Sequence, residues 1–331
     1  MHDLSRGRIA VTGGAGFIGS AIVWALNRRG IDDILIVDRL DRSEKWRNLV
    51  PLRYRDYLDA DEFEQRILQQ PQSLRVATLF HLGACSSTTE SDTAYLMRNN
   101  YAYSKHVAEW SVARGVRLIY ASSAATYGAR ESDLRDDADL DRLRPLNMYA
   151  YSKHRFDVYA RDTGLLDHVV GIKYFNVFGP NEQHKGEMRS LVDKAFSQIR
   201  ETGEVTLFRS YRPEYRDGEQ QRDFLYVKDA VAMTLHLAEA DAHGLYNAGS
   251  GTSHTWLDLV GPIFRAMNVP QRIRFIEMPE SLRGKYQYST QATIDRLRAS
   301  GYGAPITPLA EAVEDYVRNY LIPHRRLDPA A

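Results

Sequence analysis

Short apolar runs that end in small polar turns, each followed by a helical pattern, recur through the first half of the chain. Residues 8–11 (Arg8-Ile9-Ala10-Val11) read as a strand that runs into Thr12-Gly13-Gly14-Ala15-Gly16-Phe17-Ile18-Gly19, after which Ile22, Val23 and Leu26 fall at helical spacing. Ile34-Leu35-Ile36-Val37-Asp38 is a second buried strand. Leu79-Phe80-His81-Leu82 is a third, leading into the loop Gly83-Ala84-Cys85-Ser86-Ser87-Thr88-Thr89 and a helix that carries Asn99 and Asn100. Residues 116–120 form the next strand, ending at Ala121-Ser122-Ser123-Ala124-Ala125-Thr126-Tyr127-Gly128, and residues 169–174 another, before Phe175-Asn176-Val177-Phe178-Gly179-Pro180. Unbroken apolar strands alternating with helices predict an α/β fold, a doubly wound parallel sheet of Rossmann type covered on both faces.

From about residue 181 the alternation weakens. Longer polar insertions, notably 209–222, mix with short helices at 191–199 and 256–267. The pattern predicts a dinucleotide-binding domain over 1–178, to which about 222–250 returns, and a smaller, mainly substrate-binding α/β region over 179–331. The acidic loop 130–146 reads as a surface excursion without a role, and the tail from His324 to Ala331 as frayed.

Composition narrows the function. Lys plus Arg and Asp plus Glu both number 43, so no bulk charge draws the chain to nucleic acid or an anionic membrane, and an anionic ligand has to be bound locally. With one cysteine, Cys85, an intrachain disulfide and a cysteine-based metal site are excluded, and no metal is expected. The start MHDLSRGRIAVTGG holds no apolar signal core, and no stretch approaches the roughly 20 apolar residues of a membrane span. A soluble cytoplasmic protein is expected.

The chemistry-bearing residues follow the strands. Gly13, Gly16 and Gly19 read as G-x-x-G-x-x-G, and Gly14, Gly16 and Gly19 as G-x-G-x-x-G, between a strand and a helix; glycines there let the backbone approach a pyrophosphate at the helix N-terminus. Asp38, 19 residues beyond Gly19, stands where a ribose-binding carboxylate belongs. Arg39 and Lys45 argue for the 2′-phosphate of NADP while Asp38 repels it, so NAD stays open. Tyr149 and Lys153 are four apart on a helix and share a face, where an ammonium stabilises a phenolate base. Ser123 stands at a strand end facing the ligand crevice and completes a proton-handling set. His81 and Cys85 read as packing or lining residues. Lys185, Arg209, Arg212, Arg216, Arg222, Arg283 and Lys285, interleaved with Tyr211, Tyr215, Tyr286 and Tyr288, suit a sugar nucleotide, whose diphosphate wants cations and whose base wants a stacking face.

TGGAGFIG at 12–19, Asp38, SSAATYG at 122–128 and YAYSK at 149–153 together resemble the extended short-chain dehydrogenase/reductase family over almost the full length. FHLGACSSTTE at 80–90, YFNVFGP at 174–180, His184-Lys185-Gly186, Arg222-Asp223-Phe224, Tyr286-Gln287 and Thr290-Gln291-Ala292 narrow the resemblance to its ADP-heptose 6-epimerases. That resemblance implies a tightly held NADP, transient oxidation at C6 of an ADP-heptose, and hydride return to the opposite face, for lipopolysaccharide inner-core precursors. It implies Tyr149 and Lys185 as two acid/base groups, with Lys153 and Ser123 assisting. Phe17, Ile18, Asp38, Arg39, Lys45, Leu82, Gly83, Ala84, Cys85, Ser86, Asn99, Lys153 and Val177 are then expected at the cofactor. Ser123, Asn176, Glu187, Lys194, Phe208, Arg209, Ser210, Tyr211, Arg222 and Tyr286 are expected at the substrate. A homo-oligomer, a pentamer, is implied as well. Leu82, Arg39, Ala150, Lys173 and Ala60 depart from the family's usual Glu, Asn, Gly, Arg and a cofactor-side lysine. Two alternatives remain: another sugar-nucleotide epimerase of UDP-hexose 4-epimerase type, and a non-catalytic dinucleotide-sensing regulator. Dehydratases place an acidic pair after the catalytic hydroxyl, where this chain has Ala124 and Ala125.

Overall fold

The computed structural model describes residues 1–283 and 286–330. Among the described residues thirteen strands run in chain order: β1 Ile9–Thr12, β2 Ile34–Asp38, β3 Asp56–Asp59, β4 Thr78–His81, β5 Arg117–Ser123, β6 Val170–Tyr174, β7 Asn176–Phe178, β8 Val205–Phe208, β9 Gln221–Arg222, β10 Phe224–Tyr226, β11 Gly244–Ala248, β12 His254–Thr255 and β13 Ile273–Ile276. Seven of them form one parallel sheet in the order β11-β6-β5-β4-β1-β2-β3. The order reverses at β1, and that is where an open parallel sheet leaves a crevice at its C-terminal edge.

Alternate side chains of each strand feed two cores. Ile9, Val11, Ile34, Ile36, Phe80, Ile119 and Ile172 face one cluster, while Ala10, Leu35, Val37, Leu79, Leu118 and Tyr120 face the other. With both faces apolar, the strands carry no polar alternation, as a sheet covered by helices on both sides demands. The first face is covered by α1 (Phe17–Arg28) and the second by α2 (Ala60–Gln69). A short helix α3 (Thr93–Leu96) continues through a π-helical turn, residues Met97–Ala102, into α4 (Tyr103–Ala113). Helix α5 (Met148–Asp162) packs beside β5; its N-cap is Asn147, whose Oδ1 accepts from Ala150 N at 2.8 Å.

Beyond β6 the first core extends over α6 (Leu191–Thr202), α7 (Val227–Glu239), α8 (Trp256–Met267), α10 (Asp295–Ala299) and α11 (Leu309–Tyr316), with the short α9 (Glu280–Arg283) between α8 and α10. β8 and β13 pair in parallel there, whereas α7 and β11 lie back against the main sheet.

Two parts of the chain differ from their sequence pattern. The loop 130–146 buries Leu134, Leu140 and Leu143 in the second core, and Asp136 accepts from Asn247 N at 2.9 Å, because three widely spaced leucines draw the loop onto that core. The tail does not fray: Leu327 is fully buried and donates its N–H to Asn181 Oδ1 at 3.0 Å, and Trp24 Nε1 reaches Asp328 O at 3.2 Å. One buried leucine and two polar contacts hold a segment whose composition reads as solvated.

Among the described residues, no helix is long and apolar enough to cross a membrane, and no group of three or more His, Cys, Asp and Glu side chains could hold a metal ion.

Candidate active site

A cavity of about 750 Å³ opens at the C-terminal edge of the sheet. Its floor is the turn from β1 to α1. Gly13 has φ +68°, and a Cβ on it would stand 2.8 Å from Gly83 N; a Cβ on Gly19 would stand 2.1 Å from Gly13 O. No side chain fits at either place. Gly16 caps α1 without a side-chain hydrogen bond, and the first turn of α1 carries no acid, so its free N–H groups and the positive end of the helix dipole face the cavity. A backbone cradle of this kind fits the pyrophosphate of a dinucleotide.

Asp38 lines the same cavity at the end of β2. One carboxylate oxygen accepts from Ala15 N at 2.8 Å, the other from Arg39 N at 2.8 Å and Lys45 Nζ at 2.7 Å. The repulsive carboxylate and one attractive cation are thus already an ion pair. Arg39 turns elsewhere, donating to Asn99 Oδ1 at 2.6 Å and to Asp61.

On the opposite wall, β5 runs on through Ser123, past its pairing with β4 and still paired with β6, so Ser122 and Ser123 stand at the cavity edge of the sheet. The Ser123 hydroxyl lines the cavity with the Tyr149 phenol and accepts from Ala125 N at 3.1 Å. Burial raises the phenol above its ordinary value, and the Ser123 hydroxyl works against that rise. Lys153, one turn further along α5, donates to Ala121 O at 2.9 Å. Burial pushes its ammonium down to about 8, with Asp157 opposing. Asn100, inside the π-helical turn, braces this wall: its amide accepts from Cys85 N at 2.8 Å and donates to Cys85 O and Ser152 Oγ, both at 3.0 Å.

Lys185 comes from a separate element, the turn Gln183–Met188, and its ammonium lies 5.2 Å from the centroid of the Phe17 ring. Burial lowers it, and the buried Glu182 carboxylate opposes the shift. Glu182 in turn ties both ends of that turn, accepting from Gly179 N at 3.2 Å, Ser190 N at 2.6 Å and Ser190 Oγ at 2.7 Å.

The cavity therefore gathers Gly13, Gly16, Phe17, Ile18, Gly19, Asp38, Lys45, Leu82, Gly83, Ala84, Cys85, Ser86, Lys153 and Val177 from the expected cofactor set, and Ser123, Tyr149, Asn176, Lys185 and Arg222 from the expected catalytic and substrate sets. Arg39 and Asn99 stand behind its wall, bonded to each other. Tyr286 lies under Arg222, whose guanidinium is 5.0 Å from its ring, and accepts from Trp256 Nε1 at 2.8 Å. Arg209, Ser210 and Tyr211 form an exposed cluster with Asp217, Glu277 and Arg283; Arg283 lies 4.0 Å over the Tyr211 ring. Glu187 pairs with Lys194 at 3.3 Å, and Phe208 ends β8. Lys285 lies outside the described residues. The structure adds Asn147, Ser43 and Met188 to the lining. Of these, Asn147 was findable as an Asn just before a helical pattern; Ser43 and Met188 carry no such signal.

The family model of the NAD dependent epimerase/dehydratase family matches residues 9–249. The chain is 51% identical over 313 residues to an ADP-L-glycero-D-manno-heptose-6-epimerase of Nitratidesulfovibrio vulgaris, covering 94% of this chain and 97% of that one. It is 44% identical over 324 residues to the Fusobacterium nucleatum protein of the same name, covering 95% and 98%. Among solved structures, the Helicobacter pylori ADP-L-glycero-D-manno-heptose-6-epimerase superposes with a TM-score of 0.81 at 26% identity, covering 98% of each chain. A UDP-glucose 4-epimerase of Thermotoga maritima, TM-score 0.78 at 24% identity over 96% of this chain and all of that one, shares the fold. The cradle between β1 and α1 accordingly suits a nicotinamide dinucleotide. A glycine cradle, a doubly wound sheet and relatives up to half identical along nearly the whole length agree, and the chain belongs to the NAD dependent epimerase/dehydratase family and, within it, to the ADP-L-glycero-D-manno-heptose-6-epimerases.

Proposed function

We propose that the protein interconverts ADP-D-glycero-D-manno-heptose and ADP-L-glycero-D-manno-heptose by transient oxidation at C6, serving lipopolysaccharide inner-core precursor synthesis. The observation that carries this reading is that two proton carriers on separate elements, Tyr149 on α5 and Lys185 on the turn Gln183–Met188, line one cavity with the glycine cradle. A single fixed base cannot serve a hydroxyl presented from either face of a carbon, whereas two can.

A nicotinamide dinucleotide held by the Gly13, Gly16 and Gly19 cradle would supply the hydride acceptor and donor for C6. As the C6 C–H bond breaks, one of Tyr149 and Lys185 takes the proton of the C6 hydroxyl, and a 6-keto sugar results. After that sugar turns over, the other group returns a proton to the oxygen while hydride is added to the opposite face, so no net redox change remains. The Ser123 hydroxyl eases ionisation of the phenol, and Lys153, one helical turn further along α5 in the same cavity, is assigned the same part. Arg222, held over Tyr286 and Trp256, and Asn176 meet the sugar nucleotide, with Arg209, Ser210, Tyr211, Glu187 and Lys194 at the outer rim.

NADP is the proposed form of the cofactor. Lys45 answers the Asp38 carboxylate, and Ser43 lines the same corner of the cavity. Mass identification of the dinucleotide that co-purifies with the protein tests this choice; NAD alone would overturn it. Incubation with ADP-D-glycero-D-manno-heptose and, separately, UDP-galactose tests the reaction. C6 epimer formed without net dinucleotide reduction is the expected result, and conversion of UDP-galactose alone would replace the assignment with a 4-epimerase.

A further inference from the structure

Two buried asparagines, Asn48 and Asn181, tie together four stretches of chain that are remote in sequence. The Asn48 amide nitrogen donates to Ala15 O at 3.0 Å, inside the glycine-rich turn, and to Asn181 O at 3.0 Å, four residues before Lys185. The same nitrogen lies 3.3 Å from His184 Nδ1. Its carbonyl oxygen accepts from Arg326 Nε at 3.0 Å. Asn181 donates to Ser20 Oγ on α1 at 3.0 Å and accepts from Leu327 N at 3.0 Å. Its φ of +78° falls in the left-handed region, which asparagine enters more readily than most side chains. Both asparagines are essentially inaccessible, so each amide hydrogen has to find a partner, and a lost donor leaves a buried carbonyl unpaired.

We propose that Asn48 is a positioning residue for the reaction: it sets the turn that carries Lys185 against the glycine-rich turn, and the C-terminal segment 326–328 locks it in place. The inference rests on the reading of Lys185 as a proton carrier. A hydride and a proton leave adjacent atoms of one sugar carbon, so their acceptors have to be held at a fixed separation. One acceptor sits on the dinucleotide seated by the glycine turn, the other on the turn Gln183–Met188, and Asn48 bonds both turns directly. Asn181 adds a second tie, from its own side chain to Ser20 on α1, but of these side chains only Asn48 bonds the glycine-rich turn itself, at Ala15 O.

The test uses the holoenzyme with Asn48→Asp and Arg326→Met. Asn48→Asp keeps the shape and the acceptor for Arg326 but removes both donors. We expect kcat to fall about 100-fold, the effect of a misplacement of roughly 1 Å, with KM for the ADP-heptose within about threefold. The dinucleotide should dissociate about tenfold faster. Arg326→Met, which removes only the lock, should move both quantities in the same direction by a smaller factor, and it keeps the test available if Asn48→Asp does not fold. A variant that melts at lower temperature but retains wild-type kcat and dinucleotide dissociation overturns the proposal. Lys185→Met, measured alongside, separates the two ideas. Full turnover in Lys185→Met refutes the role of Lys185, whereas loss there with unchanged kcat in the folded Asn48→Asp or Arg326→Met variant refutes that of Asn48.

Discussion

The Lys173 ammonium lies 2.6 Å from Asp157 Oδ2, and neither side chain is more than 1% exposed. Asp157 also accepts from Ser122 Oγ at 2.7 Å and Tyr120 OH at 3.0 Å, and Lys173 donates to Thr126 Oγ1 at 2.7 Å. Because Asp157 stands one turn beyond Lys153, this buried pair underpins both the strand end with Ser123 and the helix with Tyr149. Lys173→Met leaves a buried carboxylate without its cation and should destabilise the fold by about 3–5 kcal/mol. The double variant Asp157→Asn/Lys173→Met should recover most of that loss, which the urea midpoints of the single and double variants will measure.

The cradle makes a sharper prediction. A Cβ at Gly19 would sit 2.1 Å from Gly13 O, so Gly19→Ala has to move the turn between β1 and α1. The purified variant should carry no dinucleotide after desalting, and absorbance together with mass analysis of the denatured protein checks this.

If Lys45 admits a 2′-phosphate beside Asp38, with which it makes a 2.7 Å contact, its removal has a measurable consequence. In Lys45→Gln the Asp38 charge is no longer answered, and a 2′-phosphate loses a cation worth about 1.5–3 kcal/mol. The Kd for NADP should rise by about tenfold or more and that for NAD by far less. Titration calorimetry on the stripped protein decides between them, and equal effects would show that Lys45 does not read the phosphate.

If Tyr149 and Lys185 serve opposite faces, each single replacement should stop one direction of proton transfer and spare the other. Tyr149→Phe and Lys185→Met should each lower turnover by about 10²–10⁴-fold. The double variant should be inactive while retaining its dinucleotide, and appreciable epimerisation by it would sink the two-base scheme.

The depressed Lys153 ammonium dictates a pH profile. Below about 8 the dominant state holds both protons, on Lys153 and Tyr149, while the reactive state, phenolate beside ammonium, has one fewer. The rate should therefore climb about tenfold per pH unit and level near pH 8, where the dominant state becomes a tautomer of the reactive one. In Lys153→Arg, whose guanidinium does not titrate in this range, the climb should continue toward the range of the phenol. A profile that levels at the same pH in both proteins would remove Lys153 from the assignment.

Local pattern carried much of this molecule. Apolar runs, glycine spacing and the Tyr149-Lys153 interval depend on neighbours within one strand, turn or helix, and the sheet order follows from them because parallel strands joined by helices have few alternatives. The sequence alone thus determined the doubly wound sheet, the glycine cradle and the helix that carries Tyr149 and Lys153 one turn apart. Long-range partners were set by tertiary structure alone. Nothing in the spacing of Lys45, Arg39 and Asp38 says that Lys45 would pair with the aspartate while Arg39 turns to Asn99 and Asp61. Nor does the polar tail announce that Leu327 would bury itself, or that Arg326 would close the amide bridge of Asn48 over 278 residues of chain. Such contacts arise because a buried polar group has to find a partner wherever the folded chain brings one.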